Sequence, residues 1–179
     1  MDCIGVFCSS YNELDKVFFE ESAKLGKWIG ITGRTLIYGG TNCGIMEHIA
    51  TEVKKYGGTV TGVIPSDLCK SELASKMPDK IITVDSLAER KKVMIDLSDI
   101  LIALPGGFGT LDEAFTTIAS NRLGYHDKEL LLCNIGGIFD DISALFDKLY
   151  KQRFAPDSYL DYYKVFSSVE NCIDYLENK

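Results

Sequence analysis

Ile100-Leu-Ile-Ala-Leu-Pro-Gly-Gly-Phe-Gly-Thr-Leu-Asp-Glu-Ala-Phe115 is the stretch on which the reading of this chain turns. The apolar run Ile100 to Leu104 predicts a buried parallel strand. Pro105-Gly106-Gly107 stops it, and a helical pattern opens at Thr110. Strand, glycine-rich turn and helix N-terminus together make an anion site. Glycines let the backbone approach a ligand closely, and the first helical N–H groups point at it with about +0.5 of dipole charge behind them. A plain connection competes with this reading, because Thr110-Leu-Asp-Glu113 also fits a capping box with Thr110 at the N-cap and Glu113 at N3. Gly106, Gly107 and Gly109 are more glycines than one tight turn requires, which favours a phosphate. The stretch is neither the dinucleotide fingerprint, since Asp112 stands where its third glycine would be, nor a P-loop, since no Gly-Lys-Ser/Thr follows. A dinucleotide dehydrogenase and an NTPase are both disfavoured.

Outward from this stretch, strand-like runs occur at 3–8, 35–38, 59–64, 80–84, 130–134 and 164–167. Helical periodicity fills most of the gaps. Leu14, Val17, Phe18, Leu25, Trp28 and Ile29 form one apolar stripe within 13–30; Phe139, Ile142, Leu145, Phe146 and Leu149 form another within 139–150. Strands alternating with helices predict a doubly wound α/β domain spanning 1–179, with a mainly parallel sheet of about seven strands and helices on both faces. In such sheets ligands collect beyond the C-terminal ends of the strands. Two further strand ends carry suggestive residues. Cys8-Ser9-Ser10 follows the first strand, and its hydroxyls either bind an anion or cap a helix starting near Glu13. Tyr38-Gly39-Gly40-Thr41-Asn42-Cys43-Gly44-Ile45-Met46 follows the second, a further glycine-rich turn into a helix. Each alone is ordinary turn chemistry; together with 105–110 they would line one sheet edge with backbone donors.

The segment feeding the main motif adds charged candidates. On a helical wheel over 87–98, Glu89, Lys92 and Asp96 fall on the solvated side. Arg90 and Lys91 fall on the inward half with Leu87, Met94 and Leu97. An inward cation needs an anionic partner, either a protein carboxylate or a bound phosphate. In the following helix, Leu111, Ala114, Phe115, Ile118 and Ala119 read as the core face. Glu113, Thr116, Thr117 and Ser120 read as a weakly charged face meeting a pocket or a second subunit.

Composition bounds the partners. A chain of 179 residues, 46% of them hydrophobic, suits one domain with a sizeable core. The net charge of −7 disfavours a nucleic-acid polymer. Cys3, Cys8, Cys43, Cys69, Cys133 and Cys172 lack Cys-x-x-Cys spacing and read as reduced thiols. His48 and His126 are too few and too far apart in sequence to imply a metal. Neither a signal peptide nor a membrane-spanning run is evident, so a cytoplasmic location without membrane contact is expected.

These residues resemble the Lonely Guy (LOG) family, also described as lysine-decarboxylase-like, along nearly the whole chain. The resemblance rests on Val6-Phe-Cys-Ser-Ser10, Tyr38-Gly-Gly with Gly44-Ile-Met46, Gly62-Val-Ile-Pro65, Glu89-Arg-Lys91 with Met94, Pro105-Gly-Gly-Phe-Gly-Thr-Leu-Asp-Glu113, and Leu123-Gly-Tyr-His-Asp-Lys128. It implies a Rossmann-like fold and a phosphoribohydrolase that splits a cytokinin riboside 5′-monophosphate, or AMP, into free base and ribose 5-phosphate, with no cofactor and no metal. Arg90 and Glu113 match the family's catalytic pair. Gly106, Gly107, Gly109 and Thr110 would hold the 5′-phosphate, with Lys91, Ser9, Ser10, Gly39 and Gly40 around the substrate. The family also implies a homodimer or an assembly of dimers. The decarboxylase label finds no pyridoxal-phosphate lysine context in this chain. Thr41, where many relatives carry a third glycine, and Asp112, where many carry glutamate, depart from the pattern; Thr41 leaves the preferred base open. The rival from another class is a non-catalytic nucleotide or molybdenum-cofactor carrier, which would not require the Arg90 and Glu113 pair.

Overall fold

A computed structural model of the chain describes residues 1–69 and 71–179. Its seven strands are β1 (Cys3–Phe7), β2 (Thr35–Tyr38), β3 (Thr59–Pro65), β4 (Lys80–Val84), β5 (Ile100–Ala103), β6 (Leu130–Cys133) and β7 (Tyr163–Phe166). Each lies within two residues of its sequence-based expectation. The connections carry α1 (Lys16–Ile31), α2 (Gly44–Lys55), the short α3 (Ser66–Cys69), α4 (Leu87–Leu97), α5 (Phe108–Arg122) and α6 (Asp140–Lys151), and α7 (Val169–Glu177) follows β7. The strands pair in the order β4-β3-β2-β1-β5-β6-β7, and every pairing is parallel.

The winding explains the two faces. From β1 the chain moves outward to β4, then returns to lay β5 against the other side of β1. Right-handed crossovers require helices on opposite faces when the direction reverses. One layer therefore holds α1, α2 and α7 against Ile4, Val6, Ile100 and Ile102. The other holds α4 and α5 against Phe7, Leu101, Ala103 and Leu132. Alternation along β5 sends Ile100 and Ile102 to the first core and Leu101 and Ala103 to the second, so all four are buried. The reversal leaves a crevice beyond the C-terminal ends of β1 and β5, the place where such sheets bind ligands.

Several helical details differ from expectation. α1 starts at Lys16 and not near Glu13, and its stripe is narrower, with Leu25, Trp28 and Ile29 buried but Val17 exposed. α6 buries no residue completely; Phe139 is buried in the turn before it, while Leu145 faces solvent. A helical period marks which side of a helix is apolar, but the neighbouring layer decides how much of that side is covered. Among the described residues, no helix is long and apolar enough to cross a membrane.

Candidate active site

β1 and β5 end side by side. Leu104 N–H donates to Phe7 O at 2.9 Å and Ser9 N–H to Pro105 O at 3.3 Å, tying the two strand ends together. Beyond them opens a cavity of about 700 Å³ whose wall includes Ser9, Ser10, Arg90, Lys91, Gly107, Gly109, Thr110 and Glu113.

α5 begins at Phe108, two residues earlier than the periodicity indicated, with Gly107 as an extended N-cap and, among the described residues, no side-chain cap hydrogen bond. Thr110 is therefore inside the helix, and the capping-box reading fails. A helix leaves its first N–H groups without intrahelical partners, and here those of Phe108, Gly109 and Thr110 lie at the cavity edge. A Cβ added at Gly107 or Gly109 would meet nothing within 4 Å, so both present bare backbone to open space. Gly106 serves packing instead: a Cβ there would sit 2.0 Å from Thr110 Oγ1, and Thr110 is itself buried.

Glu113 is not a cap. Its carboxylate accepts from Arg90 Nη2 in a close ion pair, and only 3% of the residue is exposed. Burial pushes its pKa up; Arg90 opposes this without cancelling it. Among the described residues Arg90 Nε, also buried, has no acceptor. A donor of that kind beside a cavity is one a ligand can satisfy. The neighbouring Cys8 thiol is pushed well above its ordinary pKa, first by burial and then by the charge of Glu113.

α4 delivers Arg90 and Lys91 inward as the wheel required, but two of the supposed core residues are corrected. Leu87 (62% exposed) and Leu97 (37%) are not buried; Met94 and Ile95 anchor the helix. Leu87 belongs to the cavity wall. Lys91 Nζ is already held, donating to Asp112 at 2.7 and 2.8 Å and to Thr116 Oγ1 at 3.0 Å.

The second glycine-rich turn has a different role. α2 starts at Gly44. Its N-terminus is closed by Asn12 Oδ1, which accepts from Gly44 N–H at 2.7 Å, and by Ser9 O, which accepts from Met46 N–H at 3.2 Å. Gly39 and Gly40 are absent from the cavity wall. A Cβ at Gly39 would come within 3.2 Å of Arg90 Nη2, so this glycine makes room for the arginine. Ser9 is largely committed to the turn, its Oγ accepting from Tyr11 N–H at 3.1 Å. The three strand ends thus converge on one site, but they do not all supply free backbone donors.

Sequence reasoning missed the apolar part of the wall: Tyr11, Met46, Leu68, Leu73 and Phe108. Leu73 arrives because segment 71–77 folds over the second turn, with a Thr41–Ala74 bridge and Asn42 N–H donating to Leu73 O at 2.9 Å. No local pattern encodes that contact. Thr41 does line the cavity, as its departure from the family pattern suggested. The assignment of α5's faces also changes. Glu113 and Thr117 are buried, while Phe115 and Ala119 are exposed. Phe115 joins Ile118, Leu145, Phe146 and Phe154 around a separate apolar groove of about 350 Å³. Among the described residues, no three His, Cys, Asp or Glu side chains cluster to hold a metal ion.

An all-parallel doubly wound sheet defines a Rossmann-like α/β protein, with an open helix N-terminus and a buried Arg–Glu pair at its reversal point. The chain belongs to the LOG family: residues 46–176 match the family described as possible lysine decarboxylase. It is 37% identical over 156 residues to the probable cytokinin riboside 5′-monophosphate phosphoribohydrolase LOGL9 of Oryza sativa subsp. japonica, covering 87% of this chain and 69% of that one. It is 33% identical over 170 residues to the cytokinin riboside 5′-monophosphate phosphoribohydrolase of Mycobacterium tuberculosis, covering 95% and 90%. The chain thus spans about two thirds of the rice protein and most of the mycobacterial one. In structure it is similar to the molybdenum cofactor binding protein of Rippkaea orientalis, with 26% identity, a TM-score of 0.72, and 99% and 96% of the two chains covered. The molybdenum cofactor carrier protein of Chlamydomonas reinhardtii, 23% identical with a TM-score of 0.76 over 99% and 96% of the chains, shares the fold.

Proposed function

We propose that this protein is a phosphoribohydrolase that cleaves the N-glycosidic bond of a purine riboside 5′-monophosphate, of cytokinin type or AMP itself. Water adds to the anomeric carbon, the bond to the base breaks, and free base and ribose 5-phosphate leave. The observation that carries this reading is the buried Glu113–Arg90 pair inside the cavity, with Glu113 on the same helix as the open amides. Five residues separate Phe108 from Glu113, about 7.5 Å of helical rise. That is on the scale of the span from a 5′-phosphate to the anomeric carbon of the same ribose. Gly107, Gly109 and the first-turn N–H groups anchor the phosphate, and the ribose is thereby fixed over Glu113. The carboxylate stabilises the oxocarbenium character that develops on the ribose and takes up the proton of the attacking water, while the departing base nitrogen takes its proton from solvent. Arg90 orients Glu113, and its free Nε donates to the substrate. The apolar wall of Leu68, Leu73, Leu87 and Phe108 receives the base.

A carrier sharing this fold needs the phosphate site but not the Glu113–Arg90 pair. AMP incubated with the protein and analysed by chromatography separates the two readings, because release of adenine is expected only from the hydrolase. Adenosine under the same conditions should react far more slowly, since it has no phosphate for the α5 amides. Equal turnover of adenosine and AMP, or no released base from any nucleotide, would overturn the proposal.

The groove between α5 and α6 fits a second copy of the chain, with Phe115, Leu145 and Phe154 exposed around it. The proposed assembly is a homodimer, or dimers thereof, formed by one nucleotide-binding domain over 1–179 in a reducing cytoplasm. Sedimentation at micromolar concentration should give a dimer, and Phe115→Glu a monomer.

A further inference from the structure

The segment Leu123-Gly-Tyr-His-Asp-Lys128 lies outside the cavity wall, yet it bridges the two helices that carry the Arg90–Glu113 pair. We propose that Lys128, held in place by His126, is a positioning residue that fixes α4 against α5 and so sets the geometry of that pair. The inference rests on the phosphoribohydrolase reading for its effect on rate, though not for its structural content.

The last carbonyls of a helix lack their i+4 donors, and a cation there is favourable; in α4, Ile95 O also accepts from Ser98 N–H at 3.2 Å. α4 has no basic residue in its last turn. Lys128 supplies one from another part of the chain, its Nζ donating to Ile95 O at 2.5 Å and Asp96 O at 2.8 Å. The backbone of Lys128 is fastened in turn to the end of α5. Its C=O accepts from Asn121 Nδ2 at 2.8 Å, and its N–H donates to His126 Nδ1 at 3.1 Å. Because Nδ1 accepts, the ring proton sits on Nε2 and is directed at Ser120 Oγ, 2.9 Å away. Ser120 Oγ donates to Thr116 O at 2.6 Å, and Thr116 Oγ1 receives Lys91 Nζ from α4 at 3.0 Å. A closed polar circuit therefore runs from α4 through Lys128, His126 and α5 back to α4.

α4 depends on such ties more than α2 or α5 does. Only Met94 and Ile95 are buried, whereas α2 buries six residues. A helix with so little apolar anchorage is placed by its polar contacts. Arg90 lies five residues, about 7.5 Å, before Ile95 on the same rigid rod. A shift of about 1 Å at a catalytic group can cost on the order of 100-fold in rate. A cap that merely stabilised α4 would lower the melting temperature without altering the rate of the folded enzyme.

The test is Lys128→Met, which keeps the stem and removes the charge. With AMP, kcat should fall roughly tenfold while KM stays within about twofold, and Lys128→Arg should recover most of the loss. The coupling between Arg90 and Glu113, measured by an Arg90→Lys and Glu113→Gln double-mutant cycle in urea, should drop to less than about half in the Lys128→Met background. If Lys128→Met fails to fold, the same cycle in Ser120→Ala, which removes the acceptor of His126, should show a smaller loss in the same direction. Unchanged coupling overturns the proposal whatever the rates do. If wild-type protein releases no base, the functional reading fails, while the coupling measurement still decides the positioning role.

Discussion

The turns at 38–46 and 104–113 resemble each other in sequence: each leaves a parallel strand, passes through paired glycines and enters a helix. In the structure they are opposites. The α2 N-terminus is filled by Asn12 and by the carbonyl of Ser9, and its flanking glycines serve packing and turn geometry. Among the described residues no side chain caps the α5 N-terminus, and a Cβ at two of its glycines would meet nothing within 4 Å. A glycine-rich entry to a helix therefore does not by itself leave the helix N-terminus open to a ligand. What separates the two is whether the rest of the fold supplies acceptors to the first-turn amides. The closed turn should govern stability, and the open one binding and rate.

The comparison is tested hardest at Glu113. Glu113→Gln preserves shape and a hydrogen-bond acceptor for Arg90 but removes the charge. Turnover of AMP should fall at least about 100-fold, with nucleotide binding and melting temperature close to wild type. Turnover within a few-fold of wild type would leave the open turn as a binding site only.

Gly44 probes the closed turn. Its φ is +58°, and a Cβ would meet Ser10 C at 2.5 Å. Gly44→Ala should cost about 1–3 kcal/mol in urea unfolding. Gly109→Ala, at an unobstructed helical position, should leave stability unchanged or raised while increasing KM for AMP. Equal stability losses in the two variants would erase the distinction between the turns.

Asn12→Ala removes the side chain that closes α2. The loss of this cap should cost about 0.5–2 kcal/mol and leave kcat with AMP within about twofold of wild type. A large loss of turnover in a folded variant would place the closed turn in the chemistry after all.

The smallest effect is in pH dependence. Burial raises the folded pKa of Glu113 above the ordinary 4.5. The ionised form is the working one, so activity is lost as pH falls, and the acid limb of kcat/KM should have its midpoint above 4.5. The effect of this group on stability has the opposite sign. The folded state binds the proton more tightly than the unfolded chain does, so the stabilising increment is full below 4.5 and disappears as pH rises through the folded pKa. An acid midpoint at or below 4.5 would show that Arg90 outweighs burial.

Much of the molecule follows from local pattern. The positions and type of all seven strands, the inward placement of Arg90 and Lys91, and the glycine-rich entry to a helix at 105–110 depend on periodicity, strand-terminating glycines and the cost of an unpaired inward charge. These act over a few residues and are written in the chain itself. Tertiary structure decided the rest. Thr110 and Glu113 satisfy the capping pattern, yet Arg90, 23 positions away, takes the carboxylate. Leu87 fits a core stripe, but its outer end of α4 finds a cavity and no packing layer. Asn42 and Leu73 meet only because segment 71–77 crosses the second turn, and Asn12 reaches Gly44 across 32 positions. Whether a buried donor finds an acceptor depends on which distant backbone the fold brings within 3 Å, and no periodicity in the sequence records that distance.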